Sequence, residues 1–448
     1  MSRTTSRDMT KGNILSQLII FALPLLLGNI FQLLYNTVDT IVVGNYVGKE
    51  ALAAVGSTTM ITNMVVFFFN GFSIGASVVI GRNFGAKDFE KLHRSIETTM
   101  SMTLMLGAFF TVFGMLMVKP MLMLMATPED VIPDATRYLR TYMAGISGLM
   151  IYNMASGILR AVGDTRRPLY FLMFCSALNI ALDIFFVVVF RLGVIGVALA
   201  TIISQFISAA LVILLLIKTK DIYKLTIPDL RVDKAILLQI VRVGLPAAIQ
   251  STITAVSNTF VQSYVNFFGS SVMAGWSCYN KLDQFIFLPI SSMSNAATTF
   301  VSQNMGARDI KRADKGTVVA VSVSFTVTFL VSLVLFIFAD EANGIFTKDQ
   351  EVIGFGSMFI RANVWFLLAN CINHTLAGAI RGRGDSKGPM FIMLFGFVLV
   401  RQVYLFLITK FYANTPLIVS RGYPVGWVTC CVIMLCYYYM HVRKTNEL

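Results

Sequence analysis

Charged side chains are scarce in this sequence. They make up 13% of its 448 residues, whereas hydrophobic side chains make up 56%, and the mean hydropathy is +0.73. A chain this apolar cannot cover a water-soluble surface, so its composition excludes an ordinary soluble domain. It predicts an all-α integral membrane protein whose helices cross the bilayer many times.

Histidine and suitably spaced cysteine are also scarce. Only three histidines occur, and the six cysteines lie within apolar runs with no Cys-x-x-Cys spacing. These absences argue against a zinc site and a disulfide framework. No Ser/His/Asp or Cys/His arrangement stands out, and residues 382–388 (GRGDSKG) lack the Walker spacing of a phosphate-binding loop. We therefore expect neither enzyme activity nor a cofactor.

Long apolar runs are what the chain has instead. Twelve can be marked, at 14–44, 51–80, 94–118, 135–160, 168–190, 194–217, 235–268, 272–300, 316–338, 351–380, 389–410 and 423–441. Since a helix of about 20 apolar residues crosses a bilayer core, each run predicts one span. The first is too long for a signal-peptide core, so we expect it to be retained. The predicted organisation is a tail at 1–13, an N-lobe of six helices at 14–217, a linker at 218–234, a C-lobe of six helices at 235–441 and a tail at 442–448.

The net charge of +13 reflects topology. Most of the 36 Lys and Arg residues fall in the two tails, the linker and the loops on the same side of the membrane. By the positive-inside rule this side is the cytoplasm, so both termini are predicted to be cytoplasmic. We expect membrane lipids rather than nucleic acid as surroundings, and the cell membrane as the location.

The two halves repeat each other. Residues 85–88 (GAKD) match 306–309 (GARD), and residues 163–165 (GDT) match 384–386 (GDS), both at an offset of 221 positions. Six predicted spans separate each pair, so both halves have the same orientation. This pattern predicts a parallel repeat of two six-helix lobes around a central cleft.

Four oxygen-bearing side chains are predicted to share one depth in the first lobe. Asp39 lies about 7 Å inside the end of the first span, and Asn179 and Asp183 share a face of the fifth helix, with Asp183 about 10 Å from its end. Thr201 lies at a similar depth on the sixth. Two carboxylates, an amide and a hydroxyl suit either a sodium ion or a pair of coupled proton acceptors, and both alternatives stay open.

The second half lacks this constellation. At the offset of 221, Asp183 corresponds to Tyr404 and Asn179 to Val400, and Asp39 falls opposite Phe260 or Val261. Because these four residues occur together only in the first half, we expect them to form a specialised site of the first lobe rather than a structural contact that both lobes require.

A few other polar residues occur within the spans of the second half. Asp283 could form a structural ion pair with Arg401, or contact an ion or substrate, while Lys281 points away from Asp283 on the same helix. His374, a lone histidine among polar neighbours, is typical of a hydrogen-bonded core residue.

Several segments resemble the multidrug and toxic compound extrusion (MATE) family. They are QLLYNTVDTIVVGNYVGKEALAAVG, GRNFGAKD, GILRAVGDTRRP and NIALDIFFVVVFRLGVIGVALAT. The resemblance covers nearly the whole chain and is strongest to the DinF-like prokaryotic branch. The seventh helix, LPAAIQSTITAVSNTFVQSYVNFF, lacks the acid of the NorM-like branch.

The resemblance implies a secondary active transporter that exports amphipathic organic cations in exchange for protons or sodium, by alternating access of two lobes. The family's coupling residues fall on Asp39, Asn179, Asp183 and Thr201, which are also the possible sodium ligands. We expect the substrate cleft to include Gln32, Tyr35, Asn36, Asn153 and Asp283, and the protein to function as a monomer. An alternative, a lipid-linked precursor flippase, would need a cleft rich in Arg and Lys, and the spans offer mainly Lys281 and Arg401.

Overall fold

The computed structural model describes residues 6–47, 49–125, 127–129 and 131–443, and these residues form helices and short connections without a β-strand. The all-α prediction is confirmed. Within a bilayer a helix satisfies its own backbone hydrogen bonds, so apolar runs of this length adopt it.

The described residues of the first half form seven α-helices. They are α1 (Ile14–Val42), α2 (Lys49–Gly85), α3 (Phe89–Leu124), α4 (Ile132–Ala144), α5 (Ile146–Ala161), α6 (Arg166–Asp183) and α7 (Gly193–Lys218). Helix α1 continues as a π-helix, Val43–Val47, and α6 continues as another, Ile184–Val189. A 3₁₀ turn, Ile227–Asp229, lies in the linker.

The described residues of the second half form ten α-helices. They are α8 (Lys234–Asn266), α9 (Ser270–Gly306), α10 (Ile310–Ile337), α11 (Ala339–Gly344), α12 (Gln350–Asn363), α13 (Leu367–Gly382), α14 (Lys387–Leu394), α15 (Arg401–Phe411), α16 (Pro416–Ser420) and α17 (Gly422–Tyr437). A 3₁₀ turn joins α12 to α13, and a π-helix, Phe395–Val400, joins α14 to α15.

These helices account for the predicted spans. Over the described residues, ten continuous segments are long and apolar enough to cross a membrane. The interrupted pair α4–α5 and the long helix α9 occupy the two remaining predicted spans, at 135–160 and 272–300.

The chain forms two compact units. Unit 1 contains the described residues up to Asp8 together with Pro24–Leu245, and unit 2 contains Met9–Leu23 together with the chain from Pro246 onward. The predicted lobes, 14–217 and 235–441, differ from these units at the starts of α1 and α8. The divisions fall at Pro24 and Pro246, the prolines inside those two helices, where a proline removes a backbone hydrogen bond and redirects the axis.

In unit 1, small residues hold the first part of α8 against α2. A Cβ atom on Gly75 would lie only 2.5 Å from the carbonyl oxygen of Ile240 and 2.7 Å from Cα of Gly244. Only a residue without a side chain allows this approach, which explains why Lys234–Leu245 packs with the first unit.

The internal repeat extends to individual hydrogen bonds. In unit 1, Ser73 Oγ and Ser77 Oγ donate to the carbonyl oxygens of Asn153 and Gly157, each at 2.9 Å. In unit 2, the side chains at the corresponding positions, Ser294 and Thr298, donate to the carbonyl oxygens of His374 and Gly378, at 2.7 and 2.9 Å. Each unit therefore joins the helix of its second predicted span to the helix of its fourth, α2 to α5 and α9 to α13, through the same pair of contacts.

The segment before α1 is docked on unit 2. The Met9 side chain is fully buried, its backbone N–H donates to Gln303 Oε1 at 2.9 Å, and its carbonyl accepts from Asn304 Nδ2 at 3.3 Å. The Arg312 guanidinium donates to the carbonyls of Met9 and Gly12, at 3.3 and 2.8 Å. We use the name N-terminal slot for the three residues of unit 2 that form these hydrogen bonds: Gln303, Asn304 and Arg312.

The matching corner of unit 1 is built differently. Lys91, which corresponds to Arg312, pairs with the N-cap residue Asp88 at 2.7 Å, and this hydrogen bond lowers the pKa of Asp88. Asn83, which corresponds to Asn304, donates to Ser95 Oγ at 2.8 Å. The N-terminal slot is therefore a departure from the repeat.

The linker packs on unit 1. Tyr223 is fully buried, receives a hydrogen bond from Arg167 at 2.9 Å and donates to Asp221 at 2.9 Å. Arg167 also pairs with Asp164, whose burial raises the pKa of its carboxyl. An ordered linker of this kind is a structural element of unit 1.

Candidate functional site

Asp39 and Asp183 meet inside unit 1. Asp39 lies near the end of α1, and Asp183 is the last residue of α6, where the helix changes to π geometry. Their carboxyl groups are neighbours inside the unit. Apart from this mutual contact, Asp39 Oδ1 and both oxygens of Asp183 have no hydrogen-bond partner among the described residues. Two such carboxyl groups can form a hydrogen bond only when they share a proton.

Asn179 and Thr201 supply further oxygens nearby in the fold. Asn179, one turn before Asp183, is 2% exposed, and both its amide atoms lack a partner among the described residues. Thr201 lies on α7, which packs against α6, and its hydroxyl donates to the Val197 carbonyl at 3.0 Å. Its oxygen lone pairs remain available as acceptors. A buried amide without partners is costly unless a ligand or water satisfies it.

Two tyrosines, Tyr35 and Tyr138, border the carboxyl pair, and a third, Tyr142, stacks on Tyr138. Tyr35 lies one turn before Asp39, and Tyr138 and Tyr142 lie on α4 with their rings stacked at 6.3 Å. Tyr35 and Tyr138 are close enough to both Asp39 and Asp183 for direct electrostatic interaction. Of these three, only Tyr35 was predicted from sequence, although the spacing of four residues between Tyr138 and Tyr142 placed them on one helix face.

Apolar side chains enclose this group. Tyr138 packs with Val42, Val187, Val194 and Val197 from α1, the π-helix after α6 and α7. Such surroundings lower the local dielectric and strengthen any interaction with the carboxyl pair. The site therefore combines a proton- or cation-binding pair with a hydrophobic and aromatic border.

The predicted cleft residues lie in three separate places. Gln32 and Asn36 are exposed on α1, near Tyr35. Asn153 instead belongs to the contact between α2 and α5, because its side chain donates to Leu149 and its carbonyl accepts from Ser73. Asp283 lies in unit 2, whereas the carboxyl pair lies in unit 1.

The matching region of unit 2 has no carboxyl pair. Tyr404, at the position of Asp183, donates its hydroxyl to the Ile418 carbonyl at 3.2 Å. The suggested ion pair between Asp283 and Arg401 was wrong: Arg401 donates to Ser257 and Asn258 instead. His374 packs between the rings of Phe287 and Phe397, as expected of a core residue.

The family model MatE matches this chain twice, at residues 24–185 and 246–407. Both matches begin at the prolines that divide the two units. Together they cover well over half of the chain.

Relatives of similar length are known. The Probable multidrug resistance protein YoeA of Bacillus subtilis is 27% identical over 98% of this chain and 96% of its own length. The Multidrug export protein MepA of Staphylococcus aureus is 22% identical over 92% of this chain and 90% of its own. A solved outward-facing structure of a multidrug resistance MATE family transporter of the MOP superfamily superposes with a TM-score of 0.93 at 22% identity, over 100% of both chains. The predicted fold of twelve helices in two lobes agrees with this likeness.

Proposed function

Because the chain belongs to the MatE family of multidrug and toxic compound extrusion transporters, we propose that it exports amphipathic organic cations in exchange for an inward-moving cation. It is a multi-pass membrane transporter and not an enzyme. The relatives named above for multidrug resistance and export support efflux of more than one compound. Alternating access of the two units is part of the proposal.

The contact between Asp39 and Asp183 carries the proposed coupling. Two neighbouring carboxyl groups repel each other when both are ionised, so a bound cation, either a proton or sodium, would neutralise part of their charge. Asn179 and Thr201 would supply the amide and hydroxyl oxygens of a sodium ion.

The tyrosine border supports the substrate class. Tyr35, Tyr138 and Tyr142 present aromatic surface beside two acids, and aromatic faces attract organic cations more strongly when water is excluded. A substrate cation and the coupling cation would then compete for the same negative charge. Binding of the coupling cation would then release the substrate cation, and binding of the substrate would release the coupling cation.

Purified protein in liposomes tests this function. Efflux of a fluorescent aromatic cation should follow an imposed proton gradient, and a sodium gradient at constant pH should separate the two coupling ions. Asp39→Asn, which keeps size but removes titration, should reduce gradient-driven efflux at least tenfold. Tyr404→Phe, in the matching region of unit 2, is the control and should retain most of it. Efflux by Asp39→Asn close to wild type under both gradients would remove the carboxyl pair from the mechanism.

A further inference from the structure

Unit 2 contains a second group of buried polar atoms without partners. Tyr279 and Asp283 lie one turn apart on α9, on the same helix face. Tyr279 is 3% exposed, and neither its hydroxyl nor Asp283 Oδ1 has a hydrogen-bond partner among the described residues. A phenol and a carboxyl oxygen left unsatisfied so close together cost free energy that a bound donor would recover.

A group of aromatic rings packs around Tyr279. The Trp276 ring lies 5.0 Å from that of Tyr279 and 5.7 Å from that of Tyr423, and Tyr423 lies 5.5 Å from Trp427. Tyr279 and Tyr423 both lie close enough to Asp283 for direct electrostatic interaction. A carboxylate within an aromatic enclosure is the arrangement that recognises an organic ammonium group.

Arg401 does not neutralise Asp283 by direct pairing. Its guanidinium is 2% exposed and donates to Ser257 Oγ at 2.6 Å and to Asn258 Oδ1 at 2.8 Å. It also stacks over the Tyr423 ring, because the guanidinium carbon Cζ lies 4.8 Å from the ring centroid. Asp283 itself forms no ion pair with a described residue within 4 Å. Arg401 therefore fixes the ring of Tyr423 and leaves the carboxylate free of a basic side chain.

The repeat provides an internal comparison. At an offset of 221, Tyr279 and Asp283 correspond to Thr58 and Thr62, and Tyr423 corresponds to Ile202. Both threonine hydroxyls are satisfied by carbonyls of their own helix, at 2.9 and 3.0 Å. The unsatisfied phenol and carboxylate are thus not required by the shared architecture of the two units.

We propose that Asp283, Tyr279 and Tyr423 form a second subsite, within unit 2, that binds the protonated amine of an amphipathic substrate. Arg401 is its positioning residue, because it stacks on Tyr423 and fixes the orientation of that ring. The substrate class assigned to this subsite rests on the proposed function, but the subsite requires neither ion coupling nor the contact between Asp39 and Asp183.

Equilibrium binding to the purified full chain tests the subsite. Dansylcadaverine, which carries a primary ammonium on an aromatic tail, is compared with its neutral N-acetyl derivative, and binding is followed by dansyl fluorescence. Asp283→Asn should weaken binding of the cationic probe about tenfold and leave the neutral probe within about twofold. Tyr279→Phe should weaken the cationic probe by a smaller factor. Thr62→Val, at the matching position of unit 1, is the control and should change neither probe.

Arg401 requires a separate comparison. Arg401→Lys keeps the charge but loses the planar stacking on Tyr423, so it should weaken the cationic probe more than the neutral one. Arg401→Gln should also weaken binding of the cationic probe more than binding of the neutral one, since the role proposed for Arg401 is positioning. Stronger binding of the cationic probe by Arg401→Gln would mean that Arg401 acts by repulsion, and this result would contradict the positioning role.

The outcomes separate this proposal from the transport function. Equal loss of both probes in Asp283→Asn, or an unchanged affinity for the cation, overturns the subsite, as does failure of the wild type to bind the cation. A selective loss in Asp283→Asn, together with absence of gradient-driven efflux by the wild type, would keep the subsite and reject the antiport. A melting temperature within about 3 °C of wild type shows that a variant is folded.

Discussion

At the scale of single residues, two glycines set how closely helices approach within each unit. A Cβ on Gly157 would lie 2.4 Å from Ser73 Oγ, and a Cβ on Gly378 would lie 2.4 Å from the Ser294 carbonyl oxygen. The same residues form the hydrogen bonds that repeat between the units. Glycine at these positions allows α5 and α13 to contact α2 and α9 backbone to backbone.

Gly378→Ala should therefore destabilise unit 2. The new methyl group meets backbone oxygen rather than a flexible side chain, so the helices must separate, at a cost of about 1–3 kcal/mol. Thermal unfolding in detergent should show a lower melting temperature. Gly354→Ala on α12 is the matched control, because no atom lies within 4 Å of its Cβ; it should be neutral or slightly stabilising. An unchanged melting temperature for Gly378→Ala would contradict the close packing.

A tyrosine of the candidate site gives a second residue-level prediction. Tyr142 stacks on Tyr138, which lies beside the carboxyl pair. Tyr142→Ala removes a ring that borders the carboxyl pair through Tyr138, so we expect weaker binding of aromatic cations, by about fivefold to tenfold. Tyr142→Phe keeps the stack and should retain most of the affinity. Equal binding by the alanine variant and the wild type would exclude Tyr142 from the aromatic border.

The two acids were the clearest signal of the candidate site in the sequence. Asp39 and Asp183 are acids in otherwise apolar runs, and an acid in a membrane span demands an explanation. Tyr138 and Tyr142 carry no such signal, since neither side chain is charged. Arg401 was noticed for the same reason as the acids, but its partners, Ser257 and Asn258, depend on packing that periodicity does not encode.

At the scale of elements, the apolar runs predicted the helices but not their interruptions. The run at 135–160 is divided at Gly145, where a Cβ would lie 1.6 Å from Ile202 Cγ2, so the break follows from contact with α7. The π-helices at Ile184–Val189 and Phe395–Val400 lie next to Asp183 and Arg401 respectively. A π segment adds a residue to the turn and re-aims the adjoining side chain, and it is frequent at functional sites.

The N-terminal segment gives the prediction for an element. Arg312→Ala removes the hydrogen bonds to the carbonyls of Met9 and Gly12, so residues 9–12 should detach more readily from unit 2. Bonds to a charged donor contribute about 1.5–3 kcal/mol each, although they do not add fully. Limited proteolysis should cut after Lys11 faster in this variant than in the wild type.

Lys91→Ala is the control for that experiment. Lys91 occupies the matching place in unit 1, where it pairs with an exposed Asp88 and holds no peptide segment. Its loss should leave cleavage after Lys11 unchanged, because exposed ion pairs contribute little. Equal rates for Arg312→Ala and the wild type would mean that the slot does not retain the segment.

At the scale of the whole molecule, the orientation in the membrane stays a prediction that rests on the distribution of Lys and Arg. It places the linker in the cytoplasm and the loop before α9 outside. Cysteines introduced at Lys224 and Ser270, both exposed, test it in a variant without the native cysteines. An impermeant maleimide should label the Ser270 position in intact cells and the Lys224 position only after permeabilisation. The reverse pattern would invert the topology.

The docked N-terminal segment also has a consequence for the order of synthesis. Met9 leaves the ribosome long before its partner Gln303, which lies 294 positions later. At roughly 5–20 residues per second, that gap lasts about 15–60 s. During this interval the first helix is already in the membrane while the surface that receives Met9–Gly12 does not yet exist. Unit 2 therefore reaches its native state only after Arg312 has been translated, and it then closes on the oldest part of the nascent polypeptide.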